Sequence, residues 1–421
     1  MSETADTASP LGIDLDRLRE DLLALASIGR DQADHGIHRR GFSEADMEGR
    51  RWLLERIADA GGEGRLDEAG NVIGRWWGGR DAPALLLGSH IDTVPAGGIF
   101  DGCLGVLAGL EVIRRLRETG VQPLRPVELV AFSDEEGRFG GMFGAQAFCG
   151  QLTPEWILGA RDVDGVSLAE VLQSHGLRPL GALSAARLRE EIHAFLELHI
   201  EQGPVLEAEG RRIGVVEGIS GVFKWVVQLI GKANHAGTSP MNLRSDAFMG
   251  LADFAHEIPR IIEEDGTDRS RLTVGKVELK PGSPHTVPGE VEFSLVGRDL
   301  DGQVMARLAD SCRKVLQSIA RRHRLQFRFE QMSWLEPRDC HPEIIEAFTG
   351  ESRKLGHEPL LLPSGAGHDT QFLTEITRAG MIFVPSVGGV SHAPDEWTHW
   401  ADVEVGAQVL LHTALRLLGE A

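Results

Sequence analysis

Histidines and carboxylates recur in this sequence at the ends of short apolar runs, where they could hold metal ions and activate water. The densest stretch is residues 88–105, GSHIDTVPAGGIFDGCLG. An apolar run feeds directly into His90 and Asp92, and extended backbone puts residues i and i+2 on one face. A carboxylate beside an imidazole can orient the ring and set its tautomer for a metal. Asp101 follows between Gly98 and Gly102, whose small size lets the backbone turn tightly and bring a carboxylate close. A second group is SDEEG at 133–137, again after an apolar run. Adjacent residues on extended backbone point in different directions, so Glu136 is assigned as a metal ligand and Glu135 as the general base. His199 shares a face with Glu201 at the end of FLELHI, and His392 lies in the glycine-rich loop after MIFVP. Each motif alone is what a strand cap, a solvated acidic loop or a packed histidine would also leave. Together, His90, Asp101, Glu136, His199 and His392 are three imidazoles and two carboxylates, a set suited to two divalent ions with one carboxylate bridging them. Nitrogen and oxygen donors without sulfur suit Zn²⁺, Mn²⁺, Co²⁺ or Ni²⁺.

The elements that must position these residues alternate. Apolar runs at 84–88, 127–133 and 195–200 read as strands, and helical patterns occupy 47–60, 105–116 and 144–149. Such alternation predicts an α/β fold, a mixed sheet flanked by helices, with sites at the strand ends. After about residue 212 the character changes. Strands are expected at 213–216, 224–230, 273–279 and 291–296, with helices at 245–262 and 303–323. Four strands and two helices in the order ββαββα can form a small α+β domain by themselves. The α/β pattern resumes with a helix at 343–355, a strand at 381–385 and a helix at 403–418. The expected organisation is a catalytic domain of residues 1–211 and 329–421, interrupted by an inserted domain at 212–328.

Bulk properties narrow the function. The 421 residues carry 43 basic and 63 acidic side chains, a net charge of −20, which disfavours nucleic acid and anionic membranes as partners. The four cysteines are scattered and form no CxxC pair, as in reduced cytoplasmic proteins. The polar start, MSETADTASP, lacks the basic and apolar regions of a signal peptide. No apolar run approaches the roughly 20 residues that span a bilayer. A dinucleotide enzyme is disfavoured because no GxGxxG opens a helix after the first strand. The chain has no tyrosine, for which no functional account is evident.

Six motifs in order, GSHIDTVPAGGIFDGCLGVLAGLE, AFSDEEG, ELHIEQGPVLE, GKANHAGTSPM, PSGAGHDTQ and VGGVSHAPDEW, resemble the hydantoinase/carbamoylase-type amidases from about residue 45 onward. That family lies in the dinuclear-metal aminoacylase/carboxypeptidase superfamily. It includes N-carbamoyl-L-amino acid hydrolases, β-ureidopropionases and allantoate amidohydrolases. The resemblance implies that His90 and His199 hold one ion, Glu136 and His392 the other, and that Asp101 bridges them, with Asp92 behind the ligands. It implies Glu135 as general base, His235 as oxyanion donor and Arg298 as the binder of the substrate carboxylate. Gln202 matches a polar substrate contact, and Gly365, Gly367 and His368 a substrate cradle. It implies further that the inserted domain acts as a lid and forms a homodimer. Two departures bear on the substrate: His285 stands where relatives often have asparagine, and the segment after Glu136 is shorter than usual. The expected reaction is hydrolysis of a small ureido or amide acid to amino acid, CO₂ and ammonia. The alternatives are an N-acyl amino acid deacylase or dipeptidase, which would release an acid or a second amino acid instead of ammonia, and a catalytically silent metal-binding protein, which intact ligands and Glu135 argue against.

Overall fold

The computed structural model describes residues 11–77 and 81–419; the polar leader lies outside them. These residues divide into two compact units. One holds the described chain up to Glu217, Cys340–Leu362 and the described chain from Ala366; the other holds Gly218–Asp339 with Pro363–Gly365.

The first unit is built on a large mixed sheet. Its strands run in the order Glu63–Leu66, Val72–Trp76, Val127–Phe132, Ala84–His90, Ile192–Ile200, Arg378–Val384 and Gly214–Ile219. The four strands from Val127–Phe132 to Arg378–Val384 are mutually parallel. Parallel strands are covered on both faces and therefore read as continuous apolar runs. Ala84–His90 accordingly is buried at every position, as is Val127–Phe132. One face packs on Leu104, Leu107, Leu110 and Ile113 of the helix Cys103–Glu118 and on Leu410 and Leu411 of Trp400–Leu418. The other face packs Leu86, Val130, Phe132 and Phe195 against Phe148 and Leu373 of two short helices. His90 is in register with Phe132, and His199 with Phe383. The loops that follow these strands therefore leave along one edge of the sheet.

Between 150 and 190 lie the short helices Pro154–Gly159 and Leu168–Ser174 and a 3₁₀ segment, Pro179–Ala185. They bury a separate cluster of Phe42, Phe139, Phe143, Ile157 and Leu168. Elements of six or seven residues carry too few turns for periodicity to reveal.

The second unit has an antiparallel sheet in the order Gln326–Leu335, Gly221–Ile230, Glu290–Asp299, Arg271–Lys280. Helices Ala247–Asp265 and Gly302–His323 cover it, with Phe223, Trp225, Phe254, Phe293 and Leu316 in the core. Its element order is βαββαβ, which corrects the expected ββαββα. The run at 213–216 belongs to Gly214–Ile219 of the large sheet, consistent with its continuous burial. The missed strand, QFRFEQMSWL, is mostly exposed along its length and so lacks a strong apolar signal. Against the expected limits of 212 and 328, the compact unit runs from Gly218 to Asp339.

Candidate metal centre

His90 is the last residue of its strand. Its Nδ1 donates to the Asp92 carbonyl at 3.0 Å, which turns Nε2 toward Asp101 Oδ1 at 3.8 Å and Glu135 Oε2 at 3.6 Å. His199 is held the same way: Nδ1 donates to the Ile200 carbonyl at 2.9 Å, and Nε2 lies 3.2 Å from Asp101 Oδ1. The other oxygen of Asp101 faces the remaining pair. Oδ2 is 3.1 Å from His392 Nε2, which in turn is 3.6 Å from Glu136 Oε2. Asp101 therefore stands between two ligand groups, His90 with His199 and Glu136 with His392. Gly102 makes this approach possible, because a Cβ there would sit 2.4 Å from the His90 ring.

The donors fit divalent ions. Glu136 Oε1 is buried without a hydrogen-bond partner. Burial and the neighbouring Asp101 hold the Glu136 carboxyl well above the usual range, and burial with Glu136 does the same to Glu135. Three carboxylates and three imidazoles that converge with so little compensating positive charge call for cations. Burial drives His90 down to about 4. Burial also opposes charge on His199, but Asp101 outweighs it and lifts the ring to about 9.

These shifts predict a pH dependence. Above pH 6.5 an unfolded chain has ionised carboxylates and neutral histidines, whereas native metal-free protein keeps protons on His199, at about 9, and on Asp134, which burial and Asp92 lift to about 8; the raised Glu135 and Glu136 carboxyls act in the same direction. The native state binds more protons, so its stability falls as pH rises. Metal-free protein is expected to lose melting temperature between pH 6.5 and 8, and saturating divalent ion to restore it with proton release. Denaturation scans with and without chelator check this; a melting temperature that rises over that window would contradict it.

Asp92, expected behind the ligands, and several residues that the sequence did not single out hold the centre in place. Asp92 acts through its backbone carbonyl on His90, while its carboxylate accepts from the amides of Glu135 (3.3 Å) and Glu136 (3.1 Å). The Asp92 carboxylate lies beside the imidazole as expected, 3.9 Å from Nδ1, but the hydrogen bond that orients the ring goes to the Asp92 carbonyl. Arg50 is fully buried; it pairs with Asp46 at 3.0 Å and donates to the carbonyls of Ala131 and Phe132 at the end of the strand that carries SDEEG. Glu396 accepts from the amides of Phe100 and Asp101 and from Ser391 Oγ, tying the Asp101 loop to the His392 loop. Glu396 was within reach of the sequence, four residues after His392. Glu197 accepts from Ser89 and Thr370.

The remaining expected residues are placed as follows. Gln202 donates to Asp101 Oδ2 at 3.0 Å and lies 3.2 Å from His392 Nε2. Gln202 and His392 both adopt positive φ, strain of a kind that concentrates at functional sites. The His368 ring is buried 4.5 Å from that of His199, and Gly367 packs on Met142. In the second unit, Arg298 donates to the Gly365 carbonyl at 2.7 Å. His235 pairs with Thr286, next to the exposed His285, whose carbonyl accepts from Ala236. The amides of Gly237 and Thr238 donate to His235 Nδ1 at 3.1 and 3.2 Å. Nδ1 is therefore the acceptor, and the exposed Nε2 carries the proton.

The model of peptidase family M20/M25/M40 matches residues 86–416. The chain is 40% identical to an N-carbamoyl-L-amino acid amidohydrolase of Geobacillus stearothermophilus over 406 residues, 96% of this chain and 98% of that one. It is 36% identical to the allantoate amidohydrolase of Escherichia coli (strain K12) over 93% of this chain and 95% of that one. The crystal structure of an amidase of the hydantoinase/carbamoylase family from Burkholderia multivorans superposes with a TM-score of 0.90 at 36% identity, covering 97% of this chain and 99% of that one.

Proposed function

Because this chain belongs to peptidase family M20/M25/M40, in its hydantoinase/carbamoylase amidase subgroup, we propose that it hydrolyses the ureido C–N bond of a small N-carbamoyl amino acid or related ureido acid to amino acid, CO₂ and ammonia. The observation that supports this best is Asp101 set between two histidine-containing ligand groups, with Glu135 alongside. His90 and His199 would hold one divalent ion, Glu136 and His392 a second, and Asp101 both. When bound, such a pair supplies Lewis acidity that acidifies water and polarises a carbonyl.

Glu135, buried and crowded by like charge, takes the proton of the attacking water and returns it to the leaving nitrogen. Asp92 keeps Glu135 in place through its amide. His235, with Nε2–H turned outward, donates to the developing oxyanion. His235→Ala is expected to lower kcat about 100-fold; an unchanged kcat would remove it from that role. Arg298 binds the substrate carboxylate, a pairing its planar fork favours. Arg298→Ala is expected to raise KM for carboxylate substrates by about tenfold or more, since a charged hydrogen bond contributes roughly 1.5–3 kcal/mol; an unaltered KM would place the anion elsewhere. Gln202, His285, Gly365, Gly367 and His368 keep the substrate contacts that the family resemblance implies.

The inserted unit also forms the homodimer. Met241 is 71% exposed, Phe248 and Met249 are exposed at the start of the helix Ala247–Asp265, and the edge strand Arg271–Lys280 leaves Val277 and Leu279 open to solvent. Such exposed apolar residues beside an open edge suit a second copy. All four cysteines are free and no described helix is long and apolar enough to cross a membrane, features that suit a cytoplasmic enzyme. The test follows a substrate labelled at the carbamoyl carbon: label in CO₂ with one ammonia per amino acid supports the reading, and turnover confined to N-acetyl amino acids or dipeptides would replace it with a deacylase or peptidase.

A further inference from the structure

The inserted unit contains a second polar cavity, of about 210 Å³, lined by Lys232, Asn234, Thr238, Ser239, Arg244 and Ser245 over an apolar floor of Pro240, Leu243 and Val287. In a chain of net charge −20, its only charged lining groups are two cations. Their states differ from those of most cations on this protein. Among the described residues the Lys232 ammonium has no ion pair, although its backbone amide is fixed on the Ser245 carbonyl at 2.9 Å. The Arg244 guanidinium is locked rather than neutralised: Nε donates to the Ser239 carbonyl at 3.0 Å and Nη2 to the Ala236 carbonyl at 2.5 Å. Both partners are neutral, so the full charge and the Nη1 hydrogens remain to be used. Asn234 spends its Oδ1 on the His235 amide at 3.0 Å, which leaves its NH₂ as donor. Three hydroxyls, of Thr238, Ser239 and Ser245, complete the lining.

The inventory is thus two cations, an amide NH₂ and three hydroxyls, with no carboxylate. Groups of this kind match an anion with several acceptor oxygens. Two positive charges, that of Arg244 locked in place, favour a doubly charged one over a singly charged carboxylate. We propose that this cavity is a binding site for a small phosphate-type dianion, either free phosphate or the phosphate group of a small metabolite whose apolar part rests on Pro240, Leu243 and Val287. The same loop, through Ala236 and Ser239, carries His235, so an anion on Arg244 and Lys232 braces the segment from which His235 projects.

The experiment is calorimetric titration of the metal-loaded protein with inorganic phosphate, glycerol 1-phosphate and acetate. Phosphate is expected to bind at least tenfold more tightly than acetate, and Lys232→Glu to weaken phosphate by a further tenfold or more. Lys232→Met, which removes charge without repulsion, should give a smaller loss in the same direction, and Thr238→Val should reduce affinity several-fold with the fold undisturbed. Tighter binding of glycerol 1-phosphate than of phosphate would identify a metabolite, and equal binding would identify free phosphate. Phosphate affinity unaffected by both Lys232 variants would assign it to the metal centre and overturn the proposal, as would equal affinity for acetate or no binding at 10 mM or so.

Discussion

Glu135→Ala is expected to keep its metal and lose its turnover, with kcat down by about 10²–10⁴-fold, the usual contribution of a general base. The proposed assignment gives the two properties to different residues. Asp101 and Glu136 face the histidine nitrogens His90, His199 and His392 that make up the ligand groups. Glu135, proposed as the base, has Oε2 3.6 Å from His90 Nε2 and is buried among like charges; with His90 and Glu136 it also forms a group that could hold an ion, so metal content decides its role. Burial there favours the protonated form, which suits a group that must accept a proton and give it up again within one cycle. Metal analysis and steady-state kinetics on one preparation check both halves. Full activity in this variant would remove the mechanism, and loss of metal would make Glu135 a ligand.

Asp101→Ala is expected to have a still broader effect. Its two oxygens face different ligand groups, Oδ1 at 3.2 Å from His199 and Oδ2 at 3.1 Å from His392. One substitution should therefore weaken both ions together and drop metal content from two per chain to below one, with activity at background. His392→Ala, by contrast, should spare the His90–His199 side. If Asp101→Ala loses only one ion, Asp101 belongs to a single ligand group and the bridge is wrongly assigned. Glu396, which accepts from the Phe100 and Asp101 amides, holds the loop in either case.

The candidate ligand positions were legible in the sequence for a physical reason. Parallel strands buried on both faces advertise themselves as apolar runs, and the polar residue that ends such a run lies at the strand's carboxyl edge. His90, Glu136, His199 and His392 all follow such runs, and the structure brings them to one edge. What stayed hidden depends on distant parts of the chain. Arg50 lies on the helix Glu44–Asp59, far in sequence from SDEEG, and only folding sets its guanidinium under the carbonyls of Ala131 and Phe132. Asp92 was read through its side chain, whereas its carbonyl orients His90 and its carboxylate holds the Glu135 loop. The order of the inserted unit failed where burial was one-sided: Gln326–Leu335 is mostly exposed and so weakly apolar.

The measurement that bears most directly on this account is the rate of ammonia release from an N-carbamoyl-L-amino acid as metal-stripped protein is titrated with Mn²⁺, Co²⁺, Ni²⁺ or Zn²⁺. The arrangement around Asp101 predicts negligible release without metal and activity that rises to a plateau at two equivalents per chain. Ammonia release that proceeds unchanged in the stripped protein, or that saturates at a single equivalent, would contradict the dinuclear site.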